Sequence, residues 1–174
     1  MLWQSIADRV KSKDFNARME TVRTGMGPKM TTALLAALNA RGFDVQMMEG
    51  VDRPADSPDD IDYRKLPGTD PVLHVYFDEV GMYSSRFSLD YVPRVNVKAR
   101  LVRAQSDDEI YGETINYGAD SSGEKSWSVP ADPRFKWPSF DAITQQPELV
   151  AAGYDAAVDA VAERIAINVL AASK

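Results

Sequence analysis

Apolar and polar residues alternate one by one along Arg94–Arg103, where Val95, Val97, Ala99 and Leu101 take turns with Asn96, Lys98 and Arg100. A period of two is that of a β-strand with one buried and one wet face. A polar turn over Gln105–Asp108 leads to a second such run, Glu109–Tyr117, and the pair predicts an antiparallel hairpin. Val72–Val80 carries Leu73, Val75 and Phe77 on one parity and Val72, His74, Tyr76 and Val80 on the other, the two-sided pattern of a central strand. Phe87, Leu89 and Tyr91 alternate before Pro93 as a further strand. Phe43–Met48 does the same, with Phe43, Val45 and Met47 on one face.

Elsewhere the spacing is helical. Trp3, Ile6, Ala7 and Val10 predict a short amphipathic helix, and Phe15, Met19 and Val22 extend it by a turn or two. Gly25 and Gly27 then interrupt, and Pro28 is suited to the first turn of a new helix. That second helix carries Met30, Leu34, Ala37 and Leu38 as its stripe and closes on Gly42 in a left-handed cap. A last helix runs from Pro147 to about Ala172 on Val150, Tyr154, Ala157, Val158, Val161, Ile165 and Val169. Residues 49–71, with Pro54, Pro58, Pro67 and Pro71, read as a surface connection. No internal repeat is visible. Long helices need a sheet face to cover. The expected fold is therefore α+β in two layers: an antiparallel or mixed sheet of about four to five strands with helices packed on one face, all in a single domain spanning 1–174.

Composition narrows the function. The 174 residues carry 20 Lys and Arg against 26 Asp and Glu, a net charge of −6. Phosphate backbones need a basic surface, so no nucleic-acid partner is expected. Arg94, Lys98, Arg100 and Arg103 make a short basic stripe, whose simplest reading is a solvated strand face. There is no cysteine, which removes disulfides, thiolate metal sites and a thiol nucleophile together. No apolar run approaches the ~20 residues of a membrane span, and MLWQSIADRV lacks the basic-then-apolar layout of a signal peptide.

Candidate chemistry is sparse. His74 is the sole histidine, so HExxH and three-histidine metal sites are excluded, and no GxSxG elbow presents a serine to it. It is expected as a hydrogen-bonded core or sheet-face residue. The Gly25-Met-Gly-Pro-Lys-Met-Thr-Thr stretch lacks the GxxxxGK[ST] frame of a phosphate loop and fits helix capping instead. Asp52, Asp56, Asp59, Asp60 and Asp62 lack calcium-loop spacing. Asp78 and Glu79 are neighbours in a strand and are expected to point to opposite faces. Neither metal nor cofactor is expected. One stretch invites a binding role: 118–146 is long for a loop and holds Trp127, Phe135, Trp137 and Phe140 among Pro130, Pro133 and Pro138. These aromatics either lie over the sheet and helix ends or form a partner- or ligand-facing surface.

The phrases MTTALLAALNARGFDVQ, PVLHVYFDEV and RVNVKARLVRAQSDDEIYGET resemble a pattern of small bacterial envelope lipoproteins. Among these are the ABC-transport auxiliary lipoproteins and the more distant curli-secretion-like lipoproteins. The likeness covers Met30–Tyr117 and the terminal helix. It departs from the family in having no lipid-accepting cysteine and no strand before the first helix. What it implies is a non-enzymatic periplasmic domain that binds a protein or lipid partner, anchored at the outer membrane through an N-terminal segment removed from this chain. A cytoplasmic location is the alternative without such a segment. The competing function is a small-ligand-binding protein or enzyme with a pocket near His74 and the 127–140 aromatic loop.

Overall fold

A computed structural model describes residues 2–51, 54, 56–84, 88–121 and 123–174, with only the helical backbone given for 2–12. Asp52, Phe87 and the side chains of Trp3, Ile6, Ala7 and Val10 lie outside the described residues. The elements are α1 (Leu2–Asn39), a 3-10 turn (Tyr63–Lys65), β1 (Val72–Ser84), β2 (Tyr91–Val102), β3 (Glu109–Tyr117), β4 (Ser126–Val129), α2 (Phe140–Thr144) and α3 (Pro147–Ala172). The strands form one sheet in the order β1-β2-β3-β4, antiparallel except for the parallel β3–β4 pair. The result is an α+β fold built on a mixed, open, four-stranded sheet.

The alternation in β2 sets the two sides. Val95, Val97 and Ala99 are wholly buried and share a core with Ile115 and Tyr117 of β3 and with the α3 stripe Val150, Ala157, Val158, Val161 and Ile165. Each large aliphatic side chain so enclosed contributes about 1.5–3 kcal/mol. α3 lies across β2 and β3, and α1 runs beside α3. Lys29 pairs with Asp155 and Arg41 with Glu163, so the two helices run in the same direction.

Several expectations needed correction. Gly25, Gly27 and Pro28 do not divide α1, which is continuous through them. An interior proline costs a helix about 3 kcal/mol. Met19 and Met26 before it, and Met30, Leu34 and Leu38 after it, are all buried on one stripe, and their combined burial outweighs that cost. Thr31 and Thr32 also return their hydroxyls to the carbonyls of Gly27 and Pro28, both at 3.1 Å. The cap at Gly42 (φ +88°) follows expectation, with the Phe43 amide donating back to the Leu38 carbonyl at 3.2 Å.

Phe43–Met48 is not a strand. Phe43 and Val45 pack against the core while Met47 stays exposed, so the alternation is satisfied by side-chain burial with no ladder partner among the described residues. β1 is an edge strand, not a central one. Its second apolar parity is covered by Tyr63, which docks against His74. Leu89 belongs to the β1–β2 connection, and Tyr91 and Pro93 already belong to β2. The β2–β3 ladder begins only at Val95 opposite Tyr117, so the missing amide of Pro93 breaks no bond on that side. The expected loop 118–146 holds both β4 and α2, the latter capped by Ser139 Oγ accepting from the Ala142 amide at 3.2 Å. Glu109–Tyr117 and Pro147–Ala172 stand where their patterns placed them.

Candidate functional site

The sheet face turned away from α3 is polar and closely paired. A bulge in β1 between Phe77 and Glu79 overturns the expected divergence of the two adjacent carboxylates. Both now reach cations of the outer face: Asp78 pairs with Lys98 at 3.0 Å and Glu79 with Arg94 at 2.7 Å. Arg100 is held by Glu109 at 2.9 Å, which lowers the Glu109 carboxyl below its ordinary range. Three of the four cations of the basic stripe, Arg94, Lys98 and Arg100, are thus paired with carboxylates, while Arg103 stands exposed beyond the end of β2. With its amide oxygen turned toward Arg94, Asn96 accepts from that guanidinium at 3.1 and 3.3 Å and donates to Asn116 Oδ1 at 3.3 Å. Asn116 in turn donates to Ser126 Oγ at 2.8 Å. A chain of polar contacts therefore crosses β2, β3 and β4.

His74 sits at the β1 end of this face, 4% exposed, with Nδ1 2.7 Å from the Tyr63 hydroxyl. Tyr76 lies against its other side, ring centroids 5.0 Å apart, and the Arg100 guanidinium covers the Tyr63 ring at 5.3 Å. Burial raises the Tyr63 and Tyr76 phenols above their ordinary value. The group is closed and packed, and it fastens the 3-10 turn to the sheet.

The four aromatics of 127–140 do not converge. Trp137 is buried, exchanging both backbone hydrogen bonds with Tyr91 (2.7 and 3.0 Å), and its indole N–H finds no partner among the described residues. Phe135 is buried where Gly153 brings α3 close: a Cβ on Gly153 would fall 3.2 Å from the Phe135 ring. Phe140 is partly exposed and meets Phe15 of α1 edge-on at 6.2 Å. Trp127, 41% exposed, lies on the α3 side of β4 with the Arg164 guanidinium 5.0 Å from its ring. His74 is on the opposite edge and face of the sheet from Trp127, so the two do not share a pocket.

Two features escaped sequence reasoning. An open cleft of about 390 Å³ lies where β1, β2, β3 and β4 end together, lined by Tyr83, Asp90, Val92, Gly118, Asp120 and Ser128 among others. Its signal was the glycine closing β3, which turns the chain back along its own strand. On the α3 side, Glu113 accepts from Asn168 Nδ2 at 2.7 Å and from the Tyr111 hydroxyl at 3.2 Å, and burial drives the Tyr111 phenol well up. Among the described residues, no three His, Asp or Glu side chains gather to hold a metal ion, and no helix is long and apolar enough to cross a membrane. No protein-family model, curated protein or solved structure matches this chain.

Proposed function

We propose that this chain is a non-enzymatic interaction domain of the bacterial envelope, of the lipoprotein type its sequence pattern resembles, held on the periplasmic side and binding a protein partner. The observation that carries the reading is the open sheet. Among the described residues, β1 offers 13 residues with β2 as its sole neighbouring strand, and β4 has only β3. Unpaired strand margins are templates for backbone pairing with another chain. The pairing of Arg94, Lys98 and Arg100 with carboxylates supports a binding role over a catalytic one, because those charges hold each other. The test expresses the protein from its own gene in its own organism, with a photoreactive residue at exposed Asp78. An envelope-fraction protein that forms a discrete cross-linked adduct is expected. A cytosolic protein with no adduct overturns the reading.

The cleft favours a second reading, a small-ligand carrier, since its volume falls in the range of ligand sites. Stabilisation by a metabolite, lost in Ser128→Trp, is its expected signature. Its failure is a metabolite panel that leaves the melting temperature unmoved.

A further inference from the structure

β4 is the shorter of the two free margins and the better equipped. Backbone bonds tie it to β3: the Thr114 amide donates to Lys125 O at 2.9 Å, and the Gly118 amide to Val129 O at 3.0 Å. Trp127 and Ser128 are exposed at the margin itself. The register Val97–Ile115–Trp127 puts the indole on the α3 side, beneath the Arg164 guanidinium. Arg164 has no carboxylate within ion-pair distance among the described residues, whereas Glu113 of the same face is already engaged by Asn168 and Tyr111. Ile167, 39% exposed, lies one helical turn beyond Arg164. Lys125, just before β4, is three-quarters exposed, with one 3.4 Å pairing to Glu109.

A guanidinium stacked on an indole keeps its N–H edge free and loses little freedom on binding a carboxylate. A strand added beside β4 would run about 4.8 Å away, with every second side chain on the face of Trp127 and Arg164. We propose that the β4 margin is a strand-addition site for an extended, acidic peptide segment of a partner protein, its carboxylate seated on Arg164 beside Trp127. Charge separates the two margins. On β1 the outer-face charges are already matched, Asp78 with Lys98 and Glu79 with Arg94, whereas β4 presents Lys125, three-quarters exposed, and Arg164, which has no carboxylate at ion-pair distance among the described residues. Of the acids near Arg164, Glu163 is paired with Arg41 and Glu113 is engaged by Asn168 and Tyr111, and more distant charge of the net −6 is largely screened beyond about 8–10 Å at physiological salt. The inference rests on the interaction-domain reading and names the margin and the partner chemistry.

The test uses the full chain and short synthetic peptides of alternating Thr and Val with a central Glu, Gln or Lys, read by fluorescence anisotropy and amide hydrogen exchange. The Glu peptide is expected to bind about tenfold more tightly than the Gln peptide, the worth of one charge-assisted pair. It should also slow exchange at Ser126–Val129. Arg164→Gln should bring the Glu peptide down to the Gln level, and Trp127→Ala should weaken both. The peptide comparison on the unaltered chain holds even if Trp127→Ala disturbs β4. Equal binding of the three peptides, or an unchanged affinity in Arg164→Gln, overturns the proposal. Protection appearing along Val72–Ser84 also overturns it, yet leaves the interaction-domain reading standing. No peptide binding together with no envelope cross-link removes both.

Discussion

Gly118 closes β3 with φ +71°, and its amide donates to Val129 O at 3.0 Å as β4 comes alongside. A Cβ there would stand 2.0 Å from the backbone oxygen of Pro93, which lies inside β2. Ordinary C···O contacts begin near ~3.3 Å, so the overlap exceeds an ångström, and both atoms belong to paired strands that cannot rotate away. Gly118→Ala therefore meets two costs: about 1–2 kcal/mol for a left-handed residue with a side chain, and about 1–3 kcal/mol for overpacking. Their sum is about 3 kcal/mol, a sizeable share of the ~5–15 kcal/mol that holds a typical domain. With a urea slope of about 2 kcal/mol/M, the unfolding midpoint should fall by about 1.5 M. Gly42→Ala is the control, because Gly42 has φ +88° and open space around its missing Cβ, so only the backbone cost of about 1 kcal/mol applies. Equal losses in the two variants would refute the steric argument, as would a Gly118→Ala midpoint within error of the parent.

Replacing Pro28 by Ala restores one helical hydrogen bond in α1 at an exposed position. It should raise stability by about 1–2 kcal/mol, after the unfolded chain's gained freedom is offset, and calorimetry should show a higher melting temperature. Ile115→Ala, at a fully buried position, should cost about 2–5 kcal/mol, while Leu89→Ser, at a residue 90% exposed, should stay within about 0.5 kcal/mol in the same urea titration. Burial pushes the Tyr154 phenol up to about 12. The unfolded chain loses that proton near pH ~10, so this contribution is whole below about 10 and fades as pH rises toward 12. Tyr154→Phe should flatten the alkaline fall in stability measured by circular dichroism, and an unchanged slope would refute the assignment.

The periodic elements were legible because one physical demand, burial of one face, wrote each pattern. Glu109–Tyr117 and Pro147–Ala172 are cases where propensity, parity and punctuation agreed. α1 was misdivided because Gly25, Gly27 and Pro28 are local signals, whereas the stripe through Met19, Met26, Met30 and Leu34 answers to α3, more than a hundred residues away. β1 looked central because Tyr63, from an aperiodic connection, buries its second side. β4 escaped notice because Ser-Trp-Ser-Val is too short to show a period. Among the binding candidates, sequence could name Trp127, Phe135, Trp137 and Phe140 but not sort them. Sorting needed the partners: Tyr91 for Trp137, Gly153 for Phe135, Phe15 for Phe140 and Arg164 for Trp127.

The alliance of α1 with α3 has a consequence for how the molecule is made. α1 leaves the ribosome before its chief companion α3, with 107 residues of chain between Asn39 and Pro147. At about 5–20 residues per second, synthesis leaves α1 waiting for roughly 5–20 s with its methionine stripe bare. The β1–β2 and β2–β3 hairpins need only neighbouring residues and can close in that interval, so the order of assembly runs from the middle of the chain outward. A holdase that shelters α1 during the delay should raise the yield of native protein, and moving the first helix to the far end of the chain by circular permutation should make that helper dispensable.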